Sequence, residues 1–145
     1  MFARYISGLV FLLSLGSALA QVTPVGNWHT IDDKSGEPKS LLVITESNGV
    51  ISGRIAKLLS KTADQNAKCD KCDDDRKDKP LIGLEIMRGA KKVEGKDVWD
   101  GGKILDPENG KTYGLRLTPI EGGKRMEMRG SIGPFGRTQT WVRVP

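Results

Sequence analysis

Histidine is almost missing from this chain and cysteine is scarce: His29, Cys69 and Cys72 are the whole supply among 145 residues. A closed zinc site needs four ligands, as two Cys-x-x-Cys pairs or one pair plus histidines, and this chain cannot assemble that set. The D-x-D-x-D-G loop with a distal Glu that holds calcium is also absent. Nucleophilic catalysis needs a base beside its nucleophile. His29 lies next to Trp28 in an expected strand, and no G-x-S-x-G turn or similar motif ties a nucleophile to it. Acid pairs such as Asp32-Asp33 fall in turns, where solvation accounts for them. No nucleophile, base and orienting group can be brought together, so the chain reads as non-enzymatic, without cofactor or metal. No basic block interleaved with aromatics occurs, which argues against nucleic acid as a partner. Beyond residue 20 there is no amphipathic helix and no run of the roughly 18–20 apolar residues that a membrane span requires.

What is present begins at the N-terminus, MFARYISGLVFLLSLGSALAQ. Arg4 precedes an apolar run over 6–15, and Ala18-Leu19-Ala20 closes the stretch with small side chains. That order is a secretory signal peptide, 1–20, cut after Ala20. Ser7, Gly8, Ser14, Gly16 and Ser17 interrupt the run too often for an anchor. Gln21, not cysteine, follows, so a lipid-modified N-terminal cysteine is not expected. The expected mature chain, 21–145, is exported, periplasmic or secreted, and long enough for one domain with one core. Removing Arg4 with the leader leaves 22 basic against 18 acidic residues, a net +4. The two signs alternate along most segments, as in DDDRKDKP, which describes a solvated surface.

Export changes how KCDKCDDD, 68–75, is read. Two cysteines in an exported chain pair with one another, and Cys69 with Cys72 would staple a long polar segment, 61–79. A redox-active pair is the weaker reading, because Asp70, Asp73, Asp74 and Asp75 raise the thiol pKa that such chemistry needs lowered.

Short apolar runs then recur about every ten residues with turn residues between them. They are 25–31 (VGNWHTI), 41–46 (LLVITE), 50–59 (VISGRIAKLL), 81–88 (LIGLEIMR), 98–105 (VWDGGKIL), 112–118 (TYGLRLT), 124–132 (KRMEMRGSI) and 137–144 (RTQTWVRV). Asn48-Gly49 marks a hairpin, and Gly101-Gly102 marks a bulge or corner. Within the fourth run Ile82, Leu84 and Ile86 share one face at period two, and in the seventh Met126, Met128 and Ile132 do so. Eight strands with one apolar face each and no helix to cover them close on themselves, which also removes exposed edges. The expected fold is all-β, an eight-stranded antiparallel up-and-down barrel, with a two-sheet sandwich as the alternative.

Gly26-Asn27-Trp28 resembles the glycine-x-tryptophan mark of lipocalin and calycin barrels. That resemblance implies that Trp28 closes the barrel floor and that an arginine of the last strand, Arg143 ahead of Arg137, packs over its ring. More closely, the chain resembles a family of small exported bacterial proteins of unknown function with a lipocalin-like barrel, over about 24–143. The resemblance rests on Gly26-x-Trp28, Gly53-Arg54-Ile55, Cys69-x-x-Cys72 and Gly83-Leu84-Glu85-Ile86-Met87. It continues through Trp99-Asp100-Gly101-Gly102-Lys103-Ile104-Leu105-Asp106-Pro107 and Gly110-Lys111-x-Tyr113. It ends with Arg129-Gly130-x-Ile132-Gly133 and Gly136-Arg137-Thr138-Gln139-x-Trp141-x-Arg143. It implies fold and export and supplies no activity.

Two functions follow from this reading. In the first, a small apolar or amphipathic ligand enters the barrel, lined by Ile55, Ile86, Tyr113, Leu115, Met126 and Met128; the competing reading is that the same residues fill a solid core. In the second, an envelope or extracellular protein partner is met by the stapled loop, 61–80.

Overall fold

Strands form where period-two alternation runs between turn residues, and there are eight: β1 (Gly26–Ile31), β2 (Pro38–Ser47), β3 (Val50–Leu58), β4 (Glu85–Lys92), β5 (Trp99–Asp106), β6 (Lys111–Ile120), β7 (Arg125–Ile132) and β8 (Phe135–Val144). The computed structural model describes residues 22–145, so the expected signal peptide, 1–20, lies outside the described residues. Each strand pairs antiparallel with the next, and β8 returns to β1 through Trp28 opposite Arg143, closing the barrel. That closing ladder rules out the sandwich alternative. Among the described residues the only helical turn is Glu121–Gly123, between β6 and β7.

The turn chemistry acts as the sequence suggests. Asn48 and Gly49 both have positive φ, 51° and 77°, as a two-residue hairpin loop requires. The β5–β6 register shifts between Trp99 and Gly102. Gly102 is obligatory there, since a Cβ would lie 2.7 Å from the Ala90 amide nitrogen. The barrel is therefore pinched at this bulge by backbone against backbone.

Two expected placements are corrected. β4 begins at Glu85, four residues later than the apolar run at 81–88 suggests. Gly83, at φ 90°, turns the chain first, and its amide is caught by the Ile55 carbonyl. Ile82 therefore faces solvent at 41 % exposure while Leu84 and Ile86 are buried. The ladder also skips Ile86, pairing Gly53 with Met87 and Arg54 with Glu85, so both Ile86 and Met87 turn inward. In β7, Met126 and Met128 are buried but Ile132 is exposed. The β7–β8 ladder continues to Ile132 opposite Phe135, and both project into solvent.

Inside the ring, Trp28, Leu42, Ile44, Ile51, Met87, Leu117 and Met126 are fully buried. Up-and-down order puts the β1–β2, β3–β4, β5–β6 and β7–β8 connections at one end. The other end carries the three short turns, the segment entering β1 and the close of β8.

Candidate functional site: a closed floor and an open mouth

The floor is built around Trp28. Its indole N–H donates to the Pro24 carbonyl at 2.8 Å, and the Arg143 guanidinium lies 4.3 Å from the ring centroid. Arg143 also donates to three main-chain carbonyls, Gly123 at 2.6 Å, Val25 at 2.7 Å and Thr23 at 2.6 Å. No carboxylate pairs with it among the described residues. Burial pulls its pKa below the ordinary arginine value, yet guanidinium stays charged in proteins. Carbonyl dipoles and a π face thus do what a counter-ion would otherwise do. Gly26 makes room for this: at φ 137°, a Cβ there would lie 2.5 Å from an Arg143 nitrogen.

At the opposite end the barrel holds a cavity of about 890 Å³, open to solvent. Ile55, Ile86, Ile104, Leu105, Met128 and Trp141 supply its apolar wall. Tyr113 lines it as well, and its hydroxyl accepts from the Asn109 side chain at 3.0 Å. The mouth is polar. Asp33 pairs with Arg137 and accepts from Gln139 at 2.9 Å, and Gln139 accepts from the Trp141 indole at 3.2 Å. A hydrogen-bonded chain thus runs from the apolar wall to the rim. Lys39 pairs with Glu108 at 2.7 Å. Just inside the rim the Thr30 and Ser40 hydroxyls, opposite one another on β1 and β2, meet at 2.6 Å.

The long β3–β4 connection, 59–84, forms one side of the mouth through Ser60, Thr62, Ala63, Asp64, Ala67 and Leu81. Lys68 pairs with Pro80 as an isolated bridge. Cys69 donates to the Lys79 carbonyl at 2.8 Å and Asp78 donates to that of Cys69 at 2.8 Å. The Cys69–Cys72 disulfide lies at the end of this small hairpin, its Cα atoms 5.4 Å apart, and both cysteines are buried with the barrel core. Arg76, 5 % exposed, donates to both Asp74 oxygens and, at 2.9 Å, to the Glu85 carbonyl, pinning the loop to the start of β4. Held by Arg76, the Asp74 carboxyl is lowered to about 2. Asp75 reaches Arg88 on β4 at 2.8 Å. At the far side Gly110 packs so closely on Lys71 that a Cβ there would lie 2.0 Å from the Lys71 carbonyl oxygen.

With the loop held at so many points, the disulfide contributes only a small part. Closing so short a loop removes little unfolded-state entropy, so Cys72→Ser is expected to cost about 2 kcal/mol or less. Urea unfolding with circular dichroism checks this. Loss of the β spectrum before any denaturant is added would show that the staple organises the whole barrel.

Of the residues named from sequence, Gly26, Trp28 and Arg143 meet at the floor, and Ile55, Ile86, Tyr113 and Met128 meet in the cavity wall. Leu115 and Met126 do not: buried, they lie in the core away from the cavity wall. Arg137, the second choice for covering Trp28, is at the mouth instead, on Asp33. His29 is half-buried on β1. Among the described residues no group of His, Cys, Asp and Glu is arranged to hold a metal ion, and no helix is long and apolar enough to cross a membrane. Sequence reasoning missed Thr30, Ser40 and the Asp33–Gln139–Trp141 chain. Thr30 had a signal, since it shares Trp28's inward face at period two.

Residues 26–143 match the family described as "Uncharacterized protein conserved in bacteria (DUF2147)". No curated protein matches the chain in sequence. Among solved structures, the chain is similar to protein HP1028 from the human pathogen Helicobacter pylori, described as belonging to the lipocalin family. The two share 23 % identity and a TM-score of 0.73, over 86 % of this chain and 84 % of that one. At that identity the likeness speaks for the fold, and it agrees with the closed ring. With the family match spanning nearly all of the described barrel, the chain belongs to the DUF2147 family of bacterial proteins and has a lipocalin-like eight-stranded barrel.

Proposed function

We propose that this is an exported binding protein that takes a small apolar or amphipathic molecule into the mouth of its barrel and carries out no chemistry on it. The observation that carries the reading is the cavity of about 890 Å³, within the roughly 300–1,000 Å³ of small-molecule sites. Its wall is aliphatic and aromatic, while its polar groups sit at one end, the arrangement an amphipathic molecule needs. Export is supported by the leader-like pattern at 1–20 and by a disulfide suited to an oxidising compartment. The alternative, a partner protein docking on 61–80, has less behind it. That loop's Asp74, Asp75 and Arg76 are engaged within the loop or with β4.

The test is native mass spectrometry of protein purified from the envelope fraction, with the neutral apolar dye N-phenyl-1-naphthylamine as a second probe. The expected results are an intact mass beginning at Gln21, a co-purifying small molecule, and saturable one-to-one dye binding. Met128→Trp, which fills the cavity wall, should weaken the dye at least tenfold, about 1.4 kcal/mol. Non-saturable dye uptake, unchanged by Met128→Trp, would eliminate the barrel as the container.

A further inference from the structure

The mouth has a local charge opposite to that of the chain. Its wall carries Asp32, Asp33, Asp64, Asp106 and Glu108 against Lys34, Lys39 and Arg137, a net charge of −2, in a chain of net charge +5. Two of the bases are occupied, Arg137 by Asp33 and Lys39 by Glu108. Among the described residues Asp32, Asp64 and Asp106 form no salt bridge; Lys39, paired with Glu108, also acts on Asp32, and Lys111 stands opposite Asp106 on β6. Each of the three carboxylates takes one or two main-chain N–H groups, which hold it in place; at Asp32 the Ser35 and Lys34 amides also hold the carboxyl below its usual range.

A second observation points inward from that rim. Thr30 and Ser40 line the cavity, are 8 % and 7 % exposed, and bond only to one another among the described residues. Two hydroxyls have two O–H protons, and their mutual bond uses one. Whichever oxygen donates, the other hydroxyl's proton is left without a protein acceptor beside the cavity. Facing a cavity open to solvent, that proton is free to meet water, and a ligand acceptor entering the cavity would take the water's place. Asp32 is two residues beyond Thr30, so acceptor and charge would be met in order along the mouth.

We propose that the barrel selects a cationic amphiphile. Its tail lies on Ile55, Ile86 and Met128, a carbonyl or ester oxygen accepts from the Thr30–Ser40 pair, and its positive head lies among Asp32, Asp64 and Asp106. This rests on the binding function proposed above and adds the ligand's class and orientation. The mature protein is titrated, below micelle-forming concentrations, with dodecanoylcholine (ester and cation), dodecyltrimethylammonium (cation, no ester) and dodecanoate (anion). Dodecanoylcholine is expected to bind about three- to tenfold tighter than dodecyltrimethylammonium, the range of one hydrogen bond. Dodecanoate is expected to bind weakest.

The double variant Thr30→Val/Ser40→Ala removes both hydroxyls together, a change that can be nearly neutral for folding. It should bring dodecanoylcholine down to the level of dodecyltrimethylammonium and leave the latter within about twofold, inside the usual effect of an uninvolved site. An ester preference that survives in the double variant overturns the hydroxyl anchor, and tightest binding by dodecanoate overturns the charge assignment. Failure of all three probes and of the neutral dye sinks the binding function itself, a result separate from either.

Discussion

Trp28→Ala is expected to lower the unfolding free energy by about 3–5 kcal/mol, the range for truncating a large ring in a packed core. Trp28 is fully buried, and its loss leaves three groups poorly served. The inward side chains around it lose contact surface, the Pro24 carbonyl loses its indole donor, and Arg143 loses the π face beneath its charge. Urea unfolding followed by far-ultraviolet circular dichroism reads the effect without depending on the fluorescence of the residue removed. A cost below about 1 kcal/mol, the ordinary size for an unremarkable position, would mean that the ring does not seal the floor.

Arg143→Met should cost about 2–4 kcal/mol. Methionine keeps much of the side-chain length but removes the donors to Gly123, Val25 and Thr23. Charged hydrogen bonds contribute about 1.5–3 kcal/mol each when fully buried, and the half-buried position of Arg143 reduces their sum. Arg143→Lys is expected to recover less than half of the loss. One compact ammonium cannot reach three carbonyls while lying flat on an indole, whereas a guanidinium fork does both. Recovery by lysine to near the parent stability would show that charge alone, not the fork, matters here. Trp28 and Arg143 touch, so their losses should not add; a double-mutant cycle should return a coupling of roughly 0.5–2 kcal/mol.

Much of this architecture can be read in the chain before any coordinate is known. Seven of the eight runs coincide with strands to within a few residues, because alternation and turn chemistry are local and each half-buried strand must show both. The floor is legible through a resemblance: Gly26-Asn27-Trp28 is similar to the glycine-x-tryptophan mark of lipocalin barrels, which implies an arginine of the last strand, Arg143, over the ring. The fourth strand is less so. Ile82, Leu84 and Ile86 have an acceptable period, but a turn at Gly83 and the grip of Arg76 on the Glu85 carbonyl decide where the ladder begins. Those are contacts between distant segments, and periodicity cannot record them.

The cavity was hidden for a related reason. Whether inward side chains meet or leave a gap depends on strand tilt and register, so Leu115 and Met126 are as apolar as Ile55 and Met128 yet end in the solid part of the core. Ser40 was hidden because β2 starts at Pro38, three residues before its apolar run. Its contact with Thr30 exists only once that register is set.

The seam between the first and last strands has a consequence for how the molecule is made. Arg143's bonds to Val25 and Thr23 join positions 118 and 120 apart in the chain. Every other strand pair joins sequence neighbours and can zip as its hairpin emerges. Until β8 arrives, β1 keeps one bare edge and Trp28 waits uncovered. Closure then brings the two ends of the barrel sequence together in a late step of high contact order, the kind that slows folding. A nascent chain halted before its last ten residues would present an open, sticky sheet to whatever is nearby, which makes the final strand the latch of the whole assembly.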